Sequence, residues 1–171
     1  MAVSEANYPT ANYLIALGSN RASHHGNPRA TLAAAIKALP GVVASARIIA
    51  TPPMGPSRRR FANGAVLVES GLTPPAMLAA LKAIEAAFGR RPGRRWGARV
   101  LDLDIILWSG GVWRQRSLTV PHVAFRQRAF VLAPARQIAP RWRDPVTGRT
   151  IAQTLVQNHR PRPVDRKRAR P

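Results

Sequence analysis

Cysteine is absent from the chain, so neither disulfides nor thiolate metal sites are available to it. Lysine is nearly absent too: only 3 of the 27 basic residues are lysines, the rest being arginines. Acids are scarce, with 7 Asp and Glu in all, and the formal net charge is +20. No apolar run approaches the roughly 18 residues that cross a bilayer. The N-terminus lacks the basic-then-apolar pattern of a secretory signal, so the expectation is a soluble, cytoplasmic protein.

What is present supports one packed domain. The 171 residues are enough for one well-buried core and short for two, and 46% of them are hydrophobic. The net charge raises nucleic acid or another polyanion as a partner. Because richness in arginine and alanine also reflects compositional bias, the placement of charges says more than their sum. Two of the seven acids, Asp102 and Asp104, stand inside an apolar strand pattern.

In that pattern Leu101, Leu103, Ile105 and Leu107 recur at period two and are expected to face a core together, leaving Asp102 and Asp104 on the opposite face. Residues two apart on a strand are separated by about 6.5 to 7 Å, so both carboxylates reach the same cations. Magnesium takes one or two protein carboxylates plus substrate phosphates, which suits an acid pair preceded by Arg95, Trp96 and Arg99. The competing reading of a bare Asp-x-Asp is an acidic, solvated strand face.

Taken in order, residues 1–11 read as a loose extension, 12–157 as a single domain and 158–171 as a basic, disordered tail. Asn12 to Leu17 predicts a buried strand broken by Gly18-Ser19-Asn20. Asn27-Pro28 starts a helix that Pro40-Gly41 ends. Val42 to Ala50 supports a second strand, and the proline-rich, basic segment from Thr51 to Arg60 is a loop, either solvated or closing over an anion. Phe61 to Ser70 is a third strand that projects Phe61 and Asn63 together; Asn63 is either an edge polar residue or a reader of a heterocycle.

Thr73-Pro74 starts a second helix, ended by Gly89, with Glu85 beside its apolar stripe as a boundary residue or as an anchor for an arginine or a ligand. A cationic loop from Gly89 to Arg95 leads into the acidic strand, and Gly110-Gly111 marks a hairpin to a short strand over Val112 to Leu118. His122 follows, structural or catalytic. The segment from Ala124 to Ala139 is helical in its first part, with Pro134 interrupting it; Asp144 to Gly148 is a turn and Thr150 to Val156 a short last helix. Strand, helix, strand, strand, helix, strand is the order of a ferredoxin-like α+β fold (βαββαβ), an antiparallel sheet with helices packed on it, here with an extra hairpin and a C-terminal helix.

Five pieces of the chain resemble the 6-hydroxymethyl-7,8-dihydropterin pyrophosphokinase family in family order: 16–20 (ALGSN), 51–56 (TPPMGP), 61–63 (FAN), 95–104 (RWGARVLDLD) and 118–122 (LTVPH). The resemblance implies transfer of pyrophosphate from ATP to the hydroxymethyl oxygen of the pterin, with AMP released and two magnesium ions held by Asp102 and Asp104. It implies catalytic roles for Arg90 and Arg99 at the transferring group. Glu85, Arg95, Trp96, Ile105, Thr119, His122 and Arg128 are then expected at the nucleotide, and Thr51, Pro52, Met54, Phe61, Asn63 and Phe130 at the pterin. Pro92 stands where the family often has a second loop arginine. The expected partners are ATP and the pterin, met by a monomer with no membrane and no specific nucleic acid. A ferredoxin-like RNA-binding module is the rival reading; it requires an aromatic motif on a central strand, where this chain has aspartates.

Overall fold

The computed structural model describes residues 9–52, 60–90 and 99–159. Most of the expected extension, the middle of the 51–60 loop with Met54, the cationic loop beyond Arg90 together with Arg95 and Trp96, and the basic tail beyond His159 lie outside the described residues.

Strand β1 (Ala11–Ser19) is followed by α1 (Pro28–Ala38), β2 (Val42–Ser45), β3 (Ile49–Thr51), β4 (Phe61–Ser70), α2 (Pro74–Ala87) and β5 (Asp102–Trp108). After these come β6 (Trp113–Gln115), β7 (Leu118–Val120), α3 (Ala129–Ile138) and α4 (Ile151–Asn158). The main sheet runs β2-β4-β1-β5, with β3 also on β4 and every pairing antiparallel. That is the ferredoxin-like order, reached because each helix carries the chain over the sheet to a strand that is not its neighbour. No helix among the described residues is long and apolar enough to cross a membrane.

The helix starts follow from side-chain chemistry. Asn27 accepts from the Ala30 amide at 3.0 Å and Thr73 from the Ala76 amide at 3.4 Å, each just before a proline that has no amide to satisfy. The turn after α1 depends on Gly41 (φ +72°), where a Cβ would lie 2.3 Å from the Glu69 carbonyl oxygen.

One sheet face packs α1 and α2: Tyr13, Ile15, Leu17, Val66, Val68, Leu103 and Ile105 meet Leu32, Met77 and Leu81. The other face carries Leu14, Ala65, Ile106 and Leu107 under Leu132, Ile151 and Leu155 of α3 and α4. Leu107 thus departs from the expected alternation. Leu14 pairs with Leu107 and Ile15 with Ile105, so Ile106 is an extra, bulged residue that reverses the phase of the strand after it.

Three further expectations are corrected. The strand over Val42 to Ala50 is two short strands with Ala46 to Ile48 between them, which puts Thr51 at the end of β3 instead of in a loop. Beyond Gly111 the chain pairs β6 with β7 in a separate ribbon, and only a single bridge joins Trp108 to Gly111. Pro134 does not interrupt its helix: α3 continues to Ile138, preceded by a 3-10 turn at Phe125–Gln127. Burial of Val131, Leu132 and Ala135 on the sheet offsets the roughly 3 kcal/mol that an internal proline costs.

Below α3 the chain closes with a turn built on Asp144. Its buried carboxylate accepts from Arg126 Nε at 2.6 Å and Nη2 at 2.8 Å, from the Val146 amide at 3.0 Å and from Thr147 Oγ1 at 2.7 Å. Burial alone pushes the Asp144 carboxyl up. The bonds from Arg126, Thr147 and Val146 outweigh it and hold the group below its ordinary value of 3.8. A carboxylate depressed on folding stabilises the fold fully above its unfolded pKa and loses that contribution as the pH falls through the folded one. The difference in unfolding free energy between wild type and Asp144→Asn, read from urea denaturation, is therefore expected to hold constant down to about pH 4 and to shrink below it. A difference undiminished at about pH 2 would contradict the pairing.

Candidate active site

The register of the sheet brings the expected residues together. Gly18 of β1 lies between Asn63 of β4 and Asp102 of β5, and Ala16 lies between Ala65 and Asp104. Two rows therefore cross the sheet on the face turned towards α3, each with a polar or small residue at its ends and a minimal one in the middle. All of these residues but Ala65 floor a cavity of about 280 Å³, walled by Phe61 and Phe130 and rimmed by Arg99 and Arg128. Asn63 is buried, and its amide nitrogen donates to Thr51 Oγ1 at 2.8 Å. That bond fixes the amide in the cavity floor.

The acid end is held by an ion network. Asp102 accepts from Arg90 Nη1 on Oδ1 at 3.0 Å and from Arg99 Nη1 on Oδ2 at 2.5 Å. Arg90 also bonds Glu85, whose side chain is 1% exposed. Glu85 Oε1 accepts from Lys82 Nζ at 2.9 Å and from the backbone amide of Leu103 at 2.7 Å. Leu103 stands between the two aspartates, so one buried carboxylate ties α2, the arginine and the strand that presents the acid pair. The sequence left Glu85 as a boundary residue or an anchor, with the resemblance placing it at the nucleotide; its geometry is that of an anchor.

His122 arrives through the bulge. Its amide donates to the carbonyl of Ile106 at 3.0 Å, which brings Nε2 to 4.0 Å from Asp104 Oδ2. Nδ1 faces the Ala124 amide at 3.1 Å, and because that amide only donates, Nδ1 accepts and the proton sits on Nε2. Burial lowers the His122 pKa below its ordinary 6.5; Asp104 and Asp102 oppose the shift and Arg128 adds to it. The ring is therefore neutral at neutral pH and presents an N–H to the acid pair.

Of the remaining expected site residues, Thr51 lines the cavity and Pro52 is exposed beside it, while Arg128 lies 5.8 Å from the Phe130 ring. Thr119 is exposed on β7 opposite Arg114, away from the cavity lining. Ile105 is 3% exposed and packs under α1 and α2. Its side chain is core, because it shares the face of Leu103 and not that of the aspartates. Met54, Arg95 and Trp96 lie outside the described residues.

Two contributors received no role in the sequence reading. Asn20 is 2% exposed; its Oδ1 accepts from the Arg99 amide at 2.7 Å and its own amide donates to the Arg99 carbonyl at 3.1 Å, which fixes the start of the acidic strand against the end of β1. The signal was a polar residue directly after a buried strand, where it must find partners. Lys82 is the other, three residues before Glu85 on the same helix side.

Fold and site together define an α+β protein of the ferredoxin-like class, with an acid pair and guanidinium groups beside an aromatic-walled cavity. The sequence pattern of the 7,8-dihydro-6-hydroxymethylpterin-pyrophosphokinase (HPPK) family matches residues 14–140, and the chain belongs to that family. Proteins named 2-amino-4-hydroxy-6-hydroxymethyldihydropteridine pyrophosphokinase are similar to it. The one from Methylorubrum extorquens is 40% identical over 84% of this chain and 90% of its own. The one from Pseudomonas aeruginosa is 40% identical over 83% and 88%. A Synechocystis relative is 44% identical over 60% of this chain, which spans only 53% of that protein. Among solved structures, wild-type Plasmodium falciparum HPPK-DHPS superimposes with a TM-score of 0.66 at 12% identity, covering 89% of this chain and 45% of that one. That likeness shows the fold alone. The RNA-binding alternative finds no support in these comparisons.

Lys82, Arg90 and the Leu103 amide all donate to the Glu85 carboxylate, and a hydrogen bond to a charged group contributes about 1.5 to 3 kcal/mol. Glu85→Gln is thus expected to lower the unfolding free energy by roughly that amount, read by urea denaturation. Lys82→Met, at a side chain 43% exposed, is expected to cost under about 1 kcal/mol. Equal effects would contradict the anchoring role of Glu85.

Proposed function

We propose that the protein transfers the pyrophosphoryl group of ATP to 6-hydroxymethyl-7,8-dihydropterin, a step of tetrahydrofolate biosynthesis. The observation that carries the reading is the cross-strand row in which Asn63 and Asp102 flank Gly18 on one cavity floor. A flat ring seated between Phe61 and Phe130, its edge on Asn63, points its substituent along that row towards the acids. The hydroxymethyl oxygen attacks the β-phosphorus, the bond from that phosphorus to the oxygen bridging to the α-phosphorus breaks, AMP leaves with the bridging oxygen, and the hydroxyl proton passes to solvent.

The donor set fits magnesium: two hard carboxylates side by side, with the remaining positions left to phosphate and water. Asp102 and Asp104 would hold it. Bound there, magnesium would neutralise phosphate charge and help align the attacking and leaving oxygens.

The chain's own residues do the rest by position and charge. Arg90 and Arg99, already gathered at Asp102, lie beside any phosphate held there and match its oxygens with planar forks. His122 offers its Nε2 proton as a hydrogen-bond donor; with Nδ1 engaged by the Ala124 amide it does not serve as a base. Arg128, Arg95 and Trp96 complete the nucleotide side in this reading, and Thr51, Pro52 and Met54 the pterin side. We place the reaction in the cytoplasm, performed by a monomer.

Incubation with ATP, magnesium and the hydroxymethyl dihydropterin is expected to release one AMP per pterin consumed, and none when the pterin is omitted. Failure to form AMP with either magnesium or manganese would overturn the assignment.

A further inference from the structure

The family match ends at residue 140, yet the chain continues in a built segment from Trp142 to Asn158. That segment grips one short stretch of the site. Asp144, 1% exposed, holds the Arg126 guanidinium through both Nε and Nη2. From the far end of α4, Asn158 Nδ2 donates to the Arg126 carbonyl oxygen at 2.9 Å. The same guanidinium lies 4.8 Å from the ring of Phe125, which is fully buried in the cluster that contains Ile151 and Leu155. The 3-10 turn at Phe125–Gln127 is thereby fixed at its side chain, its carbonyl and its apolar neighbour.

Two residues beyond Arg126 stands Arg128, and two further on Phe130; both line the cavity. No side-chain bond caps the start of α3 at Arg128, so the turn, together with the packing of Val131 and Leu132 on the sheet, sets the direction in which the wall leaves it.

We infer that Asp144 and Arg126 are positioning residues for the cavity wall, and that residues 142–158 brace Arg128 and Phe130 against the pterin. This rests on the reading of the cavity as the pterin site. The brace acts through geometry: a bidentate pair fixes both the position and the plane of the guanidinium, and an angstrom of drift in a wall ring loosens a stacked ligand. Neither Asp144 nor Arg126 touches the cavity.

The test is pterin affinity of the full chain, measured by fluorescence well below the unfolding temperature, with manganese binding at the acid pair as an internal control. Asp144→Asn is expected to weaken pterin binding roughly ten- to a hundredfold with manganese binding unchanged, and Asp144→Glu, which keeps the charge, to recover most of the loss. Asn158→Ala removes only the bond to the Arg126 carbonyl and is expected to weaken the pterin by a few fold; it serves where Asp144→Asn does not fold. A folded Asp144→Asn that binds pterin as wild type does would overturn the inference alone, and so would an unfolded one beside an unaffected Asn158→Ala. A wild-type chain that binds no pterin would overturn the functional reading and this inference with it.

Discussion

A carboxylate with almost no contact with water organises the site. Glu85 is expensive to bury as an anion, since desolvating an unpaired charge costs several kcal/mol, and it survives because a lysine, an arginine and a backbone amide all donate to it. Each of those bonds has a structural consequence. The bond from Leu103 fixes the strand between its two acids, and the bond from Arg90 holds a cation on Asp102. Move Glu85 and the helix, the strand and the arginine lose their common reference point.

The same economy runs through a chain with seven acids and 27 bases. Glu85 and Asp102 take the arginines at the acid-pair end, Asp104 faces His122, and Asp144 takes Arg126 beneath the opposite wall. Four scarce acids thus hold the two sides of one cavity. The total charge says little about function, whereas the placement of these few carboxylates says a great deal.

Much of this was legible in the residues. The period-two pattern around Asp102 and Asp104 put both acids on one face, and Asn27 and Thr73 announced their helices by chemistry that the structure repeats as cap bonds. The projection of Phe61 with Asn63 followed from strand alternation and holds at the cavity. What escaped reading was set by partners distant in sequence. The bulge at Ile106 follows from pairing with β1, and it alone moves Leu107 to the other core and offers a carbonyl to His122. Pro134 reads locally as a helix breaker, but burial on the sheet overrides it. Ile105, placed at the nucleotide by resemblance, faces away because its neighbours Asp102 and Asp104 face in. The link from Asp144 to Arg126 spans 18 residues and has no periodic signature.

If, as proposed, Asp102 and Asp104 together hold the metal of the nucleotide complex, metal affinity depends on both carboxylates. Manganese binding followed by electron paramagnetic resonance, in the presence of a non-hydrolysable ATP analogue, tests it most directly. Wild type is expected to bind the ion, and Asp102→Asn and Asp104→Asn each to lose about tenfold or more in affinity while keeping the wild-type circular dichroism spectrum. Undiminished affinity in both variants would contradict it.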